Sequence, residues 1–231
     1  LGSLSHIATW GRSDIKHAVY LLARHQSRPS ARDYKSALRI LNYLKGTKNL
    51  EMVLGAIPYN EESPMTAMVD SNFDTPSTTG FVITIWGSVI HAESRKQGAI
   101  ARSTMEAELI AASQCTAMVK YLRRVMVEDF RCDLPATPMG EDNTGCIGVA
   151  QGGGNHKRRR HIRVADAWIY QEVALAKTIE LYHVRSNDNV ADMFTKSLES
   201  PAFIKFRDMI MGMANPKDDQ EQIAILGSVE E

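Results

Sequence analysis

The spacing of the apolar residues changes near residue 51, and this change limits the kinds of fold that the chain can adopt. Before it, apolar side chains recur every three or four residues, which is the period of a helix packed through one face. After it, Met65, Ala67 and Val69 alternate with the residues between them, which is the period of a β-strand. The pattern therefore predicts a helical segment followed by a sheet.

The first fifty residues are predicted to form a helical extension. Ser13 can cap a helix that runs on to Ala23, and a second helix starts near Ser30 and stops at Gly46. The predicted buried stripe of the second helix consists of Tyr34, Ala37, Leu38, Leu41 and Leu44. Neither helix contains paired carboxylates or a glycine-rich loop, so residues 1–50 are interpreted as a packing module.

Residues 51–213 are predicted to form an α/β domain built on one mixed sheet. Strands are expected near 65–70, 81–86 and 88–92, and a long helix over 104–129. The later elements are a strand that ends near Asp142, helices near 143 and 162–176, a strand over 179–184 and a helix from Asn189. Strands followed by alternating helices and strands are typical of a mixed sheet covered by helices. Residues 214–231 are predicted to be a polar, disordered tail.

Charge and cysteine content exclude several classes of function. The 27 basic and 27 acidic residues give no net charge, which excludes a wholly basic coat for nucleic acid or an acidic solvating tail. The three cysteines form no Cys-x-x-Cys pair and have no zinc-ligand spacing, so they are predicted to be free thiols in a reducing compartment. No apolar run reaches the ~20 residues of a membrane span, and no membrane partner is predicted.

Four acids fall where different predicted elements could bring them together: Asp70, Glu108, Asp142 and Asp192. Carboxylates from several elements that meet at one place are suited to Mg²⁺, which prefers hard oxygen ligands. Two such ions can support cleavage of a phosphodiester. The alternative is that each acid is a solvated surface residue, or that Asp142 and Asp192 serve at helix starts.

The pattern of the predicted long helix distinguishes its two nearby glutamates, Glu106 and Glu108. Glu108 shares an apolar face with Ala112, Cys115 and Val119, whereas Glu106 lies on a polar face. A carboxylate on an apolar face needs a cation or a donor, because burial of an unpaired charge is costly. Glu108 is therefore the predicted functional residue.

The chain has one dense cationic run, and a nucleic-acid backbone is its predicted partner. The run contains Lys157, Arg158, Arg159, Arg160, His161 and Arg163. Asn143 and Thr104, which are close to the predicted acids, are further candidates for contacts with phosphates or ribose 2′-hydroxyls. A solvated charge run or a nuclear-localisation string is the alternative interpretation.

Four blocks, in order, resemble the signature blocks of the ribonuclease H domain of copia-like retrotransposon Pol polyproteins. They are Val69-Asp70-Ser71, Ser103-Thr104-Met105-Glu106-Ala107-Glu108-Leu109, Glu141-Asp142-Asn143 and Asn189-Val190-Ala191-Asp192-Met193-Phe194-Thr195-Lys196. Upstream, Asp14-Ile15 and Tyr43-Leu44-Lys45-Gly46-Thr47 resemble the end of the reverse transcriptase of the same polyproteins. The resemblance covers the chain from its first residue to about Met213.

The resemblance implies a ribonuclease H-like fold with a five-stranded mixed sheet, and cleavage of the RNA strand of RNA–DNA hybrids. It implies two Mg²⁺ ions, or Mn²⁺, held by the four acids. Asp70 would contact both ions, Glu108 and Asp142 one of them, and Asp192 the other. The products would carry a 5′-phosphate and a 3′-hydroxyl.

The chain also departs from the family pattern. Arg163 stands where the family usually has an aspartate, and the stretch from Asp70 to Gly80 is shorter than usual. These changes favour an alternative function, that of a catalytically silent, domesticated or decayed nucleic-acid-binding module. A weaker third hypothesis is that the fragment folds poorly because its helices expose an apolar stripe.

The expected partners are an RNA–DNA hybrid and the rest of a Pol polyprotein, including reverse transcriptase and integrase. No polymerase activity is expected, because the chain lacks the paired aspartates of a polymerase palm. The expected location is the cytoplasm, or a virus-like particle with access to the nucleus.

Overall fold

A computed structural model describes residues 1–152 and 168–213, and its first part is helical. Three helices come first in the described chain: α1 (Gly2–Trp10), α2 (Lys16–Ala23) and α3 (Ala31–Gly46). A 3₁₀ turn, Ser13–Ile15, leads into α2. At the start of α3, the side chains of Ser30 and Asp33 each accept a hydrogen bond from the other's backbone N–H, which confirms the predicted helix start.

A five-stranded mixed sheet follows, as predicted. Its strands are β1 (Met65–Asn72), β2 (Thr78–Ile85), β3 (Ser88–Lys96), β4 (Thr137–Glu141) and β5 (Ile179–His183). The order across the sheet is β3-β2-β1-β4-β5. The three N-terminal strands pair antiparallel, and β4 and β5 are added in parallel to β1. The short links of the meander allow antiparallel pairing, whereas β4 and β5 are each reached through intervening helical segments.

Helical segments cover both faces of the sheet. They are α4 (Thr104–Glu128), α5 (Thr144–Ala150), a π-helical turn (Gln171–Leu175), two 3₁₀ helices (Ser186–Asp188 and Val190–Phe194) and α6 (Ser200–Ile210). The alternation of β2 serves two cores: Phe81 and Ile83 pack in the core that includes residues of α4, and Val82 packs with Phe194 and Phe206. The α/β class and the mixed sheet are therefore confirmed.

The predicted stripe of α3 is only partly correct. Its fully buried residue is Ile40, with Ala37 and Leu44 partly buried beside it. Tyr34, Leu38 and Leu41 are exposed on another face of the helix. Both faces of α3 carry apolar residues at helical spacing, so periodicity alone could not tell which one packs against α1 and α2.

Three further elements differ from the prediction. Helices α1 and α6 were not expected, and the helix expected from Asn189 is the short 3₁₀ helix Val190–Phe194. The predicted helix over 162–176 is described only from residue 168, and the tail at 214–231 lies outside the described residues.

Among the described residues, no helix is long and apolar enough to cross a membrane. All three cysteines are free thiols.

Candidate active site

Strand register brings the first two predicted acids together. Asp70 is buried near the end of β1, where it pairs with Gly80 of β2. On the other side of β1, Ala67 and Met68 are level with Met139 and Gly140 of the parallel strand β4. Two residues further on, Asp70 and Asp142 come level at the same edge of the sheet. Parallel pairing of these strands thus positions both carboxylates.

Glu108 reaches the same place from α4. Ser103 caps this helix by accepting a hydrogen bond from the N–H of Glu106. The buried amide of Gln97, just after β3, donates to the carbonyl of Ala107 (2.8 Å) and so fixes the first turns of α4 against the sheet. Glu108 is buried and Glu106 is half-exposed, so the predicted choice between the two glutamates agrees with their burial.

Asp192 is placed by a buried asparagine. The side-chain amide of Asn189 donates to the carbonyl of Val69 (2.8 Å), and its oxygen accepts from the N–H of Ala191 (3.1 Å). One side chain therefore both caps the 3₁₀ helix and attaches it to β1, one residue before Asp70. Asp192 lies in the first turn of that helix.

The four predicted acids and one further acid form a single cluster. Asp70, Asp142 and Asp192 each offer a carboxylate oxygen within 4.8 Å of the others. Glu108, Asp142 and Glu141 form a second set by the same measure, and Asp142 belongs to both sets. The structure therefore brings all four predicted acids together. How they would share two ions, with Asp70 in contact with both, stays a prediction.

The cluster strongly favours protonated carboxyls unless a cation is present. Burial, followed by repulsion from Asp192, raises the pKa of Asp70 to about 7. Burial, followed by repulsion from Glu141, raises the pKa of Glu108 to about 10. Burial also raises the pKa of Glu141 to about 8. Like charges this close cannot all ionise without compensation.

Two residues shortly after Asp192, Thr195 and Lys196, contact acids of the cluster. Sequence reasoning gave these two residues no role. The hydroxyl of Thr195, a buried residue, donates to Oδ2 of Asp70. The ammonium of Lys196 lies 2.7 Å from Oδ1 of Asp192 and 3.7 Å from Oδ2 of Asp70. The i, i+4 spacing of Asp192 and Lys196 was a signal that could have identified this ion pair.

Glu141 is the acid that sequence reasoning missed. Neighbouring residues of a regular strand point to opposite faces, so Glu141 and Asp142 would not both face one site if β4 continued through them. In the structure, β4 ends at Glu141, so Asp142 is no longer bound by that alternation. Adjacent acids at the end of a strand were the available signal.

Of the residues predicted to contact nucleic acid, Thr104 and Asn143 lie in the described part of the chain. Thr104 is exposed at the first position of α4, one turn before Glu108. Asn143 is half-buried and caps α5, where its side-chain oxygen accepts from the N–H of Cys146 (3.0 Å). The six residues of the cationic run, Lys157 to Arg163, lie outside the described residues, so their contacts with nucleic acid stay a prediction.

The donor set fits a hard divalent cation. All of its ligand atoms are carboxylate oxygens, which Mg²⁺ and Mn²⁺ prefer. One oxygen of Glu108 and one of Glu141 are buried without a hydrogen-bond partner. Buried polar atoms are normally satisfied, and these two carboxylate oxygens are available to a metal ion.

Comparison with known proteins identifies relatives over most of the chain. It is 27% identical over 214 residues to the retrovirus-related Pol polyprotein from transposon TNT 1-94 of Nicotiana tabacum, and 28% identical over 214 residues to that from transposon RE1 of Arabidopsis thaliana. It is 20% identical over 208 residues to the transposon Ty1-NL2 Gag-Pol polyprotein of Saccharomyces cerevisiae. These alignments cover 91%, 91% and 88% of this chain. The resemblance to copia-like Pol polyproteins is thereby confirmed.

The chain spans only a small part of those relatives: 16%, 14% and 12% of their lengths, respectively. No protein-family model matches it. Among solved structures, it is similar to LC11-RNase H1, isolated from compost, with a TM-score of 0.44 and 18% identity. That similarity covers 57% of this chain and 92% of the other.

Proposed function

We propose that this chain is a ribonuclease H that hydrolyses the RNA strand of RNA–DNA hybrids within a longer transposon Pol polyprotein. The observation that carries the proposal is the convergence of Asp70, Glu108, Asp142 and Asp192, from separate elements, into one carboxylate cluster. The relationship to transposon Pol polyproteins supports it, because the same four acids lie in the blocks that resemble their ribonuclease H domain.

These four acids would hold two divalent cations, Mg²⁺ or Mn²⁺. Bound ions of this kind lower the pKa of a water and offset charge on a phosphate, which a carboxylate cluster alone cannot do. Net hydrolysis adds water across the P–O3′ bond, and leaves a 5′-phosphate and a 3′-hydroxyl.

The surrounding residues hold the acids in place and supply positive charge. The hydroxyl of Thr195 donates a hydrogen bond that fixes one oxygen of Asp70, and Asn189 holds the turn that carries Asp192. The side chain of Lys196 is 40% exposed, so its ammonium is within reach of solvent and of a phosphate oxygen. The cationic run from Lys157 to Arg163 is proposed to bind the hybrid backbone.

The test is cleavage of an end-labelled RNA–DNA hybrid by the full 231-residue chain in Mg²⁺ and in EDTA. The Asp192→Asn variant removes one charge from the cluster. Asp188→Asn is the matched control, since Asp188 is four residues earlier and pairs with Lys205 (2.9 Å). We expect metal-dependent cleavage of the RNA strand that survives in Asp188→Asn and is lost in Asp192→Asn.

Binding of the hybrid without cleavage, by a chain that circular dichroism shows to be folded, would contradict this proposal. That result, with affinity that falls steeply as salt rises, would identify the silent nucleic-acid-binding module instead. Equal cleavage of double-stranded RNA, or of DNA duplexes, would contradict the proposed substrate.

We also propose that the chain works beside the reverse transcriptase and integrase of such a polyprotein. The supporting observation is its alignment to a short part of much longer relatives. A location in the cytoplasm or in a virus-like particle stays a prediction.

A further inference from the structure

We infer that Glu141 is a fifth metal ligand, which holds one divalent cation together with Glu108 and Asp142. This inference rests on the proposed function, because it adds a ligand to the same carboxylate cluster. It goes beyond the four acids that the sequence resemblance implies.

The position of Glu141 is the first step of the argument. Its side chain is fully buried at the end of β4. A carboxylate oxygen of Glu141 lies within 4.8 Å of ligand oxygens on Glu108 and on Asp142. The three groups thus surround one point from β4, the residue after it and α4. Asp142 also belongs to a second set, which contains Asp70 and Asp192.

The second step is the orientation of the Glu141 carboxylate. Its Oε1 accepts a hydrogen bond from the N–H of Asn143 (3.0 Å), and this bond fixes the side chain. Its Oε2 is buried and has no hydrogen-bond partner, and Oε2 of Glu108 is in the same condition. A carboxylate with one oxygen fixed by a hydrogen bond and the other oxygen free is typical of a metal ligand that its surroundings hold in place.

The third step is a comparison with another buried glutamate. Glu172 is also buried, but Lys120 lies 2.5 Å from its carboxylate and balances its charge. Within residues 1–152 and 168–213, no lysine or arginine forms an ion pair with Glu108 or Glu141. Without a cation, these two neighbouring glutamates avoid a costly uncompensated buried charge only by staying protonated, whereas a bound cation lets both ionise.

The ligand chemistry indicates which cation to use as a probe. Three carboxylates around one ion leave fewer positions for water, and Mg²⁺ gives up its waters reluctantly. Mn²⁺ also suits carboxylate ligands. Mn²⁺ is paramagnetic, so its free concentration can be followed directly by electron paramagnetic resonance.

The experiment is a Mn²⁺ titration of the full chain at pH 7.5, without substrate. Glu141→Gln keeps the side-chain shape and the acceptor for the N–H of Asn143, but removes the charge. Glu180→Gln is the control, since Glu180 is exposed on the neighbouring strand β5. We expect two bound Mn²⁺ ions in the unaltered chain and in Glu180→Gln. In Glu141→Gln, one ion should bind about 10-fold or more weakly, and the other within about 2-fold of its original affinity.

A double-mutant cycle with Glu108→Gln tests whether the two glutamates serve the same ion. If they do, the double variant should lose that ion without further loss at the other, and the effects should not add. Independent, additive effects on two different ions would overturn the assignment.

The remaining outcomes separate this inference from the proposed function. If the unaltered chain binds two Mn²⁺ and folded Glu141→Gln binds them equally well, Glu141 is no ligand and the proposed function stands. If the unaltered chain binds no Mn²⁺, both the assignment of Glu141 and the proposed function fail. Should Glu141→Gln not fold, anomalous diffraction from Mn²⁺ crystals of the unaltered chain decides. An oxygen of Glu141 within about 2.6 Å of the metal supports the inference, and its absence there overturns it.

Discussion

At the scale of single residues, the two halves of the acid cluster are compensated differently. Beside Asp70 and Asp192, the chain supplies its own positive charge through Lys196. Burial acts to lower the pKa of Lys196, but the nearby carboxylates raise it, so the ammonium stays charged. Beside Glu108 and Glu141, the described residues supply no such partner. Cation binding should therefore differ between the two halves.

The first prediction concerns Thr195, a positioning residue that orients Asp70. Thr195→Val preserves the shape but removes the hydroxyl, so Asp70 loses the donor that fixes Oδ2. Metal-dependent hybrid cleavage should fall about 10- to 100-fold, as is typical when the partner of a metal ligand is removed. Thr195→Ser retains the hydroxyl and should keep most of the rate. Equal rates in Thr195→Val and the unaltered chain would show that this hydrogen bond does not orient Asp70.

A second prediction follows from the competition between Lys196 and a cation for Asp192. The ammonium pairs with Oδ1 of Asp192, and a bound cation would compete with it for the same carboxylate. Lys196→Met should therefore tighten Mn²⁺ binding at Asp192 by roughly 5-fold, as expected for a partly exposed ion pair. Lys205→Met, which removes the surface pair with Asp188, is the control. Mn²⁺ titration decides, and weaker binding in Lys196→Met would contradict the competition.

Sequence reasoning predicted the four acids because each lies in a block with a recognisable pattern, and Glu108 also because of its apolar helix face. It missed Glu141, Thr195 and Lys196 for physical reasons. The role of Glu141 depends on where β4 ends, and strand ends are set by tertiary contacts. The i, i+4 spacing of Asp192 and Lys196 was visible in the sequence. The contacts of Thr195 and Lys196 with Asp70, however, depend on a 3₁₀ helix packed against β1, and local spacing does not contain that long-range contact.

At the scale of elements, one glycine lets the turn that carries Asp192 approach the sheet. A Cβ added at Gly80 of β2 would lie 2.6 Å from Cγ2 of Thr195 and 2.9 Å from Cβ of Phe194. Real Cβ atoms do not tolerate such contacts, so the backbone of β2 at Gly80 lies directly against side-chain atoms at the end of the 3₁₀ helix and just after it. The position of the last acid therefore depends on the absence of a side chain at residue 80.

The third prediction is that Gly80→Ala disturbs both stability and the cluster. Overpacking should lower the free energy of unfolding by about 1–3 kcal/mol, measured by urea denaturation. Mn²⁺ binding on the Asp192 side should weaken as the turn is pushed away from β1. Gly148→Ala in α5 is the matched control, because a Cβ there would meet no atom within 4 Å. It should be neutral or slightly stabilising, since alanine favours a helix over glycine. Equal stability of Gly80→Ala and the unaltered chain would contradict the close approach.

Elements with a strong period were predictable, and those defined by packing were not. The three meander strands and α4 matched their predicted positions closely, because their apolar spacing is regular. The buried face of α3 was predicted only in part. Ala37 and Leu44 pack beside the buried Ile40, whereas Leu38 and Leu41 are exposed. The partner of a helix, rather than its own pattern, decided which face is covered.

At the scale of the whole molecule, the helical extension packs against the sheet rather than standing apart. Nδ1 of His17 in α2 lies 3.1 Å from Oγ of Ser94 in β3, and both residues are buried. Tyr43 of α3 stacks edge-on against Phe203 of α6, with ring centroids 5.9 Å apart. Tyr43 also donates to Asp14 (2.7 Å). The assignment of residues 1–50 and 51–213 to two domains stays a prediction, but the two parts share buried contacts.

The last prediction is that acid loosens the extension from the sheet. Burial lowers the pKa of His17 from its ordinary value of 6.5, so His17 is held neutral against β3. If α2 separates from β3, His17 returns to its ordinary pKa and takes up a proton more readily. The separated state then binds more protons than the packed one, and it gains stability as the pH falls below about 6.5. Packing is therefore complete above that pH and is lost progressively below it.

Hydrogen exchange at pH 7.5 and pH 5.5, corrected for the intrinsic rate, measures this effect. Protection of amides in α2 should fall at the lower pH, while protection in β1 should change much less. His17→Gln, which is neutral and cannot titrate, should remove the pH dependence. The control is His25→Gln, because His25 is exposed and its Nδ1 lies 2.8 Å from Oδ1 of Asp33 within the extension itself. Protection of α2 that is the same at both pH values would mean that His17 does not control the contact. A pH dependence that persists in His17→Gln would assign it to another group.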